Sequence, residues 1–165
     1  MKRVIKTILG SLGYEINKAR FHPSYLAQIC QPKTVFDVGV GNGTYALYEA
    51  FPKAKFVLVE PHRDYENAIE IIAKKYDCDI FYNAVSNTPG TPELKVDTID
   101  PLKSTLEKRA PLTVSGNPLE KRVIEVTTLD RIIGEIPDLQ KPILLKIDTE
   151  GHELKLFKAH GPFYK

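Results

Sequence analysis

Cysteine is scarce: Cys30 and Cys78 are the only two in the 165-residue chain, with no C-x-x-C pair and no histidine at ligand spacing beside them. This excludes a structural zinc site, and a chain of this length buries a core without a disulfide scaffold. Long apolar runs are missing too. The stretch VIKTILGSL near the start is too short and too interrupted for a membrane span or a secretory leader. The chain therefore reads as soluble and cytoplasmic, with no stable membrane insertion. It also lacks repeats, low-complexity tracts and any dense Lys/Arg block. Lys2, Arg3, Lys6, Lys18, Arg20 and Lys33 stand against Glu15 alone, so the overall formal charge of +2 divides into +5 over residues 1–33 and −3 beyond. The basic start reads as the solvated face of a helix. The acidic remainder argues against nucleic acid as a partner, because phosphate recognition calls for a basic face.

What is present has a clear rhythm. Val4, Ile5, Ile8, Leu9 and Leu12 fall on one helical stripe, and a second helix is expected from about Pro23 to Ile29, closed by Gln31-Pro32. Residues 1–33 thus form an expected helical cap on a domain over 34–165. From Thr34 strands and helices alternate: a strand at Thr34–Val38, a helix at Thr44–Phe51 with Ala46, Leu47, Ala50 and Phe51 on one side, and a strand at Lys55–Glu60. Asp64 is placed to cap a helix whose Tyr65, Ala68, Ile69, Ile72, Ala73 and Tyr76 keep a strong helical period. Asp79–Val85 reads as a third strand, Val123–Val126 as a short one, Asp130 as the cap of a helix through Ile133, and Ile143–Ile147 as a buried strand before a last helix with Leu154 and Phe157. Near-continuous apolar strands between amphipathic helices indicate an α/β fold, a doubly wound and mostly parallel sheet. Residues 87–121 break the rhythm with five prolines and read as an insertion or a lid.

The strand at Thr34–Val38 runs into a glycine loop, VFDVGVGNG. In a doubly wound sheet such a loop cradles a nucleotide. A dinucleotide site requires G-x-G-x-x-G, but after Gly39 and Gly41 the third position is Thr44, with Gly43 one residue early. Asp37 is moreover a carboxylate where a pyrophosphate would lie. That suits a ligand with a cationic amino-acid end, S-adenosylmethionine, whose ribose hydroxyls would be taken by Glu60 at the end of the next strand. A turn-forming Asp and a surface strand-end Glu are the plainer accounts of these two residues taken singly.

Beyond this loop, VFDVGVGNGTYALYEAFPKAKFVLVEP, TTLDRI and LLKIDTEGHELKLFKA resemble the FkbM-type methyltransferase family from about Thr34 to the C-terminus, most specifically at Lys146–Glu153. NAVSN, Gly90 and Ser104–Leu106 follow the family's looser pattern. The resemblance implies a class I, Rossmann-like, S-adenosylmethionine-dependent enzyme acting on hydroxyl groups of a carbohydrate or small-molecule acceptor. It implies that Asp37, Gly39, Gly41, Asn42, Gly43 and Glu60 contact the cofactor, and that Asn83 and Ala84, within Asn83–Ser86, lie near the adenine. The segment 87–121 would set acceptor choice.

Methyl transfer to oxygen needs donor and acceptor in line and a base for the hydroxyl proton. Asp148, Glu150 and His152 cluster past the last strand; Asp148 is the first candidate for that base and Glu150 the second. Glu150 has a structural alternative, fixing the turn before Gly151, and His152 an exposed one. Two carboxylates without a third ligand do not define a metal site. Members of the family continue with further strands, whereas this chain stops at Lys165. The sheet is therefore expected to be C-terminally truncated, leaving the Ile143–Ile147 strand as an apolar edge. Three readings stay open: a fragment, a homodimer that borrows the missing edge, and a cofactor-binding remnant with a structural or partner role.

Overall fold

The computed structural model describes residues 23–97, 119–149 and 152–156. The expected helix over residues 4–12, Ser104–Leu106, Glu150 and Phe157 lie outside the described residues. In chain order the elements are α1 (Pro23–Ile29), β1 (Thr34–Val38), α2 (Tyr45–Ala50), β2 (Lys55–Val59), a 3-10 turn (Arg63–Tyr65), α3 (Glu66–Lys75), β3 (Cys78–Phe81), β4 (Ala84–Val85), β5 (Glu93–Asp97), β6 (Leu119–Val123), β7 (Val126–Thr127), α4 (Leu129–Glu135), β8 (Ile143–Ile147) and α5 (Glu153–Leu156). No helix among the described residues is long and apolar enough to cross a membrane.

Two compact units account for these elements. The first contains α1 and α2. In it Leu47, Tyr48 and Phe51 are buried, while Ala46 and Ala50 are only half-buried. Tyr48 lay outside the expected apolar stripe. It is buried with the edge-to-face partner Tyr45 one turn earlier, ring centroids 6.0 Å apart.

The second unit is built on a parallel four-stranded sheet in the order β3-β2-β1-β8. All five residues of β1 are buried, as a central strand covered on both faces requires. Registry sets Phe36 beside Val57 and Leu145, and Val38 beside Val59 and Ile147. This face forms the main core with Leu129, Ile132 and Ile136 from α4 and the residue after it, together with Leu156 of α5 and Val85. The opposite face sets Asp37 beside Leu58 and Lys146. Along the chain the strands step outward from β1 to β3, and β8 then returns to the far side of β1. Strand order therefore reverses at β1, and the crevice past the C-terminal ends of β1 and β8 is the position where open α/β sheets hold ligands. β8 is an edge of this sheet among the described residues, and each of its residues is only half-buried.

Several expected boundaries are corrected. Asp79–Val85 is not one strand: Tyr82-Asn83 interrupt it, and Ala84–Val85 pairs in parallel with Val126–Thr127 in a separate two-stranded sheet. The expected strand at Val123–Val126 is likewise divided, because β6 pairs antiparallel with β5 while β7 joins β4. The segment 87–121 is thus not wholly irregular, since Glu93–Asp97 supplies one arm of that antiparallel pair. Asp64 does not cap α3. It lies in the 3-10 turn and its carboxylate accepts from Arg122 of β6 at 2.6 Å. The α3 stripe itself is present, with Tyr65, Ile69 and Ile72 buried and Ile71 on the exposed side.

Asp130 is not the cap of α4 either. Thr128 holds that position with extended backbone, and its hydroxyl accepts from the Arg131 N–H at 3.3 Å, while Asp130 sits in the first turn. Thr128→Ala is therefore expected to cost about 1 kcal/mol and Asp130→Ala only a few tenths, from the first-turn charge. Urea unfolding of the two variants separates the roles, and equal losses would restore Asp130 as the cap.

Candidate active site

Four turns leave the C-terminal ends of parallel strands: Gly39 follows β1, Glu60 follows β2, Ser86 follows β4 and Asp148 follows β8. Gly39, Gly41 and Gly43 have φ of +80°, +52° and +101°. At Gly39 the glycine is required by the chain itself. A Cβ there would sit 1.8 Å from the Asp148 carbonyl oxygen, so only glycine lets the loops after β1 and β8 cross at this spacing. The Asp148 N–H donates to the Val38 carbonyl at 2.9 Å, continuing the β1–β8 pairing into the site.

Asp37 is fully buried, and its charge is met from β8. The Lys146 ammonium lies 2.9 Å from Asp37 Oδ1 and donates to the Gly39 carbonyl at 2.7 Å, with Asp148 Oδ2 at 3.9 Å. The sequence reading gave Lys146 no role, although one signal was available: a lysine inside the apolar run ILLKI and an aspartate inside VFDV are opposite charges in two largely apolar strands, and a buried charge needs such a partner.

Glu60 is buried at the end of β2. Its Oε2 accepts from the Gly41 N–H at 2.9 Å and its Oε1 from the His62 N–H at 2.9 Å. Burial raises its pKa from the ordinary 4.5; the bonds from Gly41 and His62 and the charge of Lys146 oppose this, and Asp37 adds to it. His62, another residue the sequence reading passed over, is buried and inclined towards its neutral form by burial and by Arg122. Its Nε2 has no hydrogen-bond partner among the described residues.

The remaining candidates are distributed as follows. Asn42 is exposed, and the Gly43 N–H closes the loop on the Val40 carbonyl at 2.8 Å. Asn83 is half-buried between β3 and β4, and Ala84 is buried with its N–H on the Glu125 carbonyl. The Asp148 side chain is 67% exposed, open to a solvent-side acceptor. His152 is buried and not exposed, with Nε2 2.9 Å from Ser86 Oγ. Asp37, Gly39, Glu60, Lys146 and Asp148 thus gather around the β1–β8 switch point, joined by contacts through Gly41 and Val38.

With that geometry in place, the class of protein is a Rossmann-like α/β domain with a glycine loop and an acidic strand end. The sequence model of one family, the methyltransferase FkbM domain, matches residues 37–162, well over half of the chain. The chain belongs to the FkbM methyltransferase family, and its domain is a methyltransferase domain. No curated protein and no solved structure matches it significantly.

Two predictions follow from the charges. Lys146→Met leaves Asp37 buried without its cation and is expected to cost about 3–5 kcal/mol in urea unfolding, with part recovered when Asp37→Asn is added. For Glu60 the folded protein holds its proton to higher pH than the unfolded chain. Its contribution is therefore fully present below the ordinary value of 4.5 and declines as pH rises through its raised folded value. Thermal melts across this window should show wild type losing stability relative to Glu60→Gln as pH rises, then running parallel to it.

Proposed function

We propose that the domain transfers a methyl group from S-adenosylmethionine to a hydroxyl oxygen of a carbohydrate or other small-molecule acceptor. The observation that carries this reading is the Glu60 carboxylate, buried at the end of β2 and bonded to the Gly41 N–H of the glycine loop beside the switch point. Each of its oxygens accepts one backbone N–H and keeps a second lone pair, enough to receive a pair of ribose hydroxyls. The donor set therefore fits the nucleoside half of the cofactor.

Asp37 enters this reading differently from an isolated carboxylate. Its charge is met by Lys146, so it braces the loop, and the surplus of Asp37, Glu60 and Asp148 over one ammonium makes the crevice attractive to a cationic ligand. When bound, the cofactor supplies an already activated methyl on sulfur. Positioning is then the protein's main task. Gly39, Gly41 and Gly43 let the backbone approach the ligand, and the segment Asn83–Ala84 would border the adenine. Asp148, exposed past β8 with the Lys146 ammonium 3.9 Å away, accepts the proton of the acceptor hydroxyl.

Calorimetry with S-adenosylmethionine and S-adenosylhomocysteine tests the cofactor, and radiolabelled methyl transfer to a panel of sugars and hydroxylated small molecules tests the reaction. Glu60→Gln should weaken cofactor binding by at least about tenfold, the value of a charge-assisted hydrogen bond. Asp148→Asn should bind cofactor normally and lose about 10²–10⁴ in transfer rate. Cofactor binding without transfer to any acceptor would favour the cofactor-binding remnant, and a folded chain that binds neither compound would overturn the reading.

A further inference from the structure

His152 and Ser86 are both more than nine-tenths buried and lie 66 residues apart in sequence, yet the imidazole Nε2 sits 2.9 Å from the Ser86 oxygen. The direction of this bond follows from a third residue. Ser86 has one hydroxyl proton, and it donates that proton to Asn87 Oδ1 at 3.2 Å. The Ser86 oxygen must then accept, so the His152 Nε2 carries hydrogen and donates. A buried histidine held as a donor to a serine is a poor proton acceptor through that nitrogen. It is a good structural fastener.

What it fastens is the turn that carries Asp148. The His152 N–H donates to the Thr149 carbonyl at 3.3 Å, and the Thr149 N–H and hydroxyl both donate to Glu153 Oε1, at 3.0 and 3.4 Å. Thr149, His152 and Glu153 are thus one bonded unit directly after Asp148. Ser86 belongs to the separate two-stranded sheet: it follows β4, and its N–H donates to the Thr127 carbonyl of β7. The His152–Ser86 bond joins these two parts through side chains. Asp148 is held on its other side by the backbone, through Val38 and the close approach to Gly39.

We propose that His152 is a positioning residue that acts through Ser86, anchoring the turn after β8 to the end of β4 and so setting where Asp148 stands relative to the crevice. This deepens the methyltransferase reading and rests on it for the role of Asp148. The coupling itself is a property of the chain alone.

Amide hydrogen exchange on the full-length chain, followed by mass spectrometry, tests the coupling without cofactor or acceptor. Ser86→Ala and His152→Ala should each speed exchange roughly tenfold both in 84–87 and at residues 148, 149, 152 and 153, the effect of losing one buried hydrogen bond. The double variant should exceed neither single one, and His152→Gln, whose side-chain amide can still donate to Ser86, should restore protection. Ser86→Ala removes a single oxygen and leaves the core packing in place, so it reports even if His152→Ala unfolds. Nitrogen-15 NMR of the imidazole should show hydrogen on Nε2 in wild type and a shift in that balance in Ser86→Ala. Where methyl transfer is measured, Ser86→Ala and His152→Ala should lower kcat by similar factors, and His152→Gln should recover it. Exchange that rises only around the substituted residue, additive effects in the double variant, or an Nε2 without hydrogen would each overturn the proposal. A chain that fails to bind S-adenosylmethionine but shows the coupled exchange would overturn the functional reading and leave the anchor standing.

Discussion

The Lys146 ammonium lies between the Asp37 carboxylate and the Gly39 carbonyl, at 2.9 and 2.7 Å, and most of the site depends on that contact. Apart from Thr34 at the start of β1, the remaining residues of β1 and β8 are apolar, and each strand carries one charge at the same level of the sheet. Taking two charges out of water is costly, and the cost is offset only when they meet. A one-residue slip of β8 along β1 would turn Lys146 to the other face, into the core around Phe36 and Val38, and leave Asp37 buried alone. The ion pair therefore sets the register between the central strand and its edge neighbour. Register in turn sets where the β8 chain emerges, and with it the place of Asp148.

Once register is set, the crevice is assembled by short-range constraints of different kinds. Steric closeness makes Gly39 the only residue type that fits beneath the Asp148 carbonyl. Hydrogen bonding ties the glycine loop to the end of β2 through Glu60. A buried imidazole ties the turn after β8 to the end of β4. Each element is one that a methyl-transferring domain needs in a fixed place, because the reaction gains most from holding donor and acceptor in line. The preference for a rigid frame also explains why polar groups lie so deep here: a satisfied buried polar contact restricts geometry more sharply than an apolar one of similar size.

Much of this was legible in the chain. Continuous apolar runs located the strands, and the helical period located α3 with its buried Tyr65, Ile69 and Ile72. The spacing of Gly39, Gly41 and Asp37 against Glu60 anticipated that these residues stand together at the ends of β1 and β2. Local choices were less legible wherever two neighbouring residues compete for one role. Thr128 and Asp130 are both good caps, and the chain path into α4 selects Thr128. Asp64 is a good cap as well, but Arg122, distant in sequence, claims its carboxylate. The break at Tyr82-Asn83 was invisible because a strand that changes sheets keeps the same residue preferences on both sides of the change.

The sequence by itself determined the class of fold, the family, and the supply of carboxylates and glycines at the ends of the parallel strands. These are properties of residue type and spacing, and they act over a few neighbours. Only the tertiary structure decided that Asp37 is answered by Lys146, that Gly39 yields to the chain's own Asp148 carbonyl, and that His152 is buried on Ser86. Each of these joins residues 66 or more positions apart in sequence, or across different strands, and depends on which strand lies beside which. Periodicity and local composition carry no information about that adjacency, because it is set by the packing of the whole sheet.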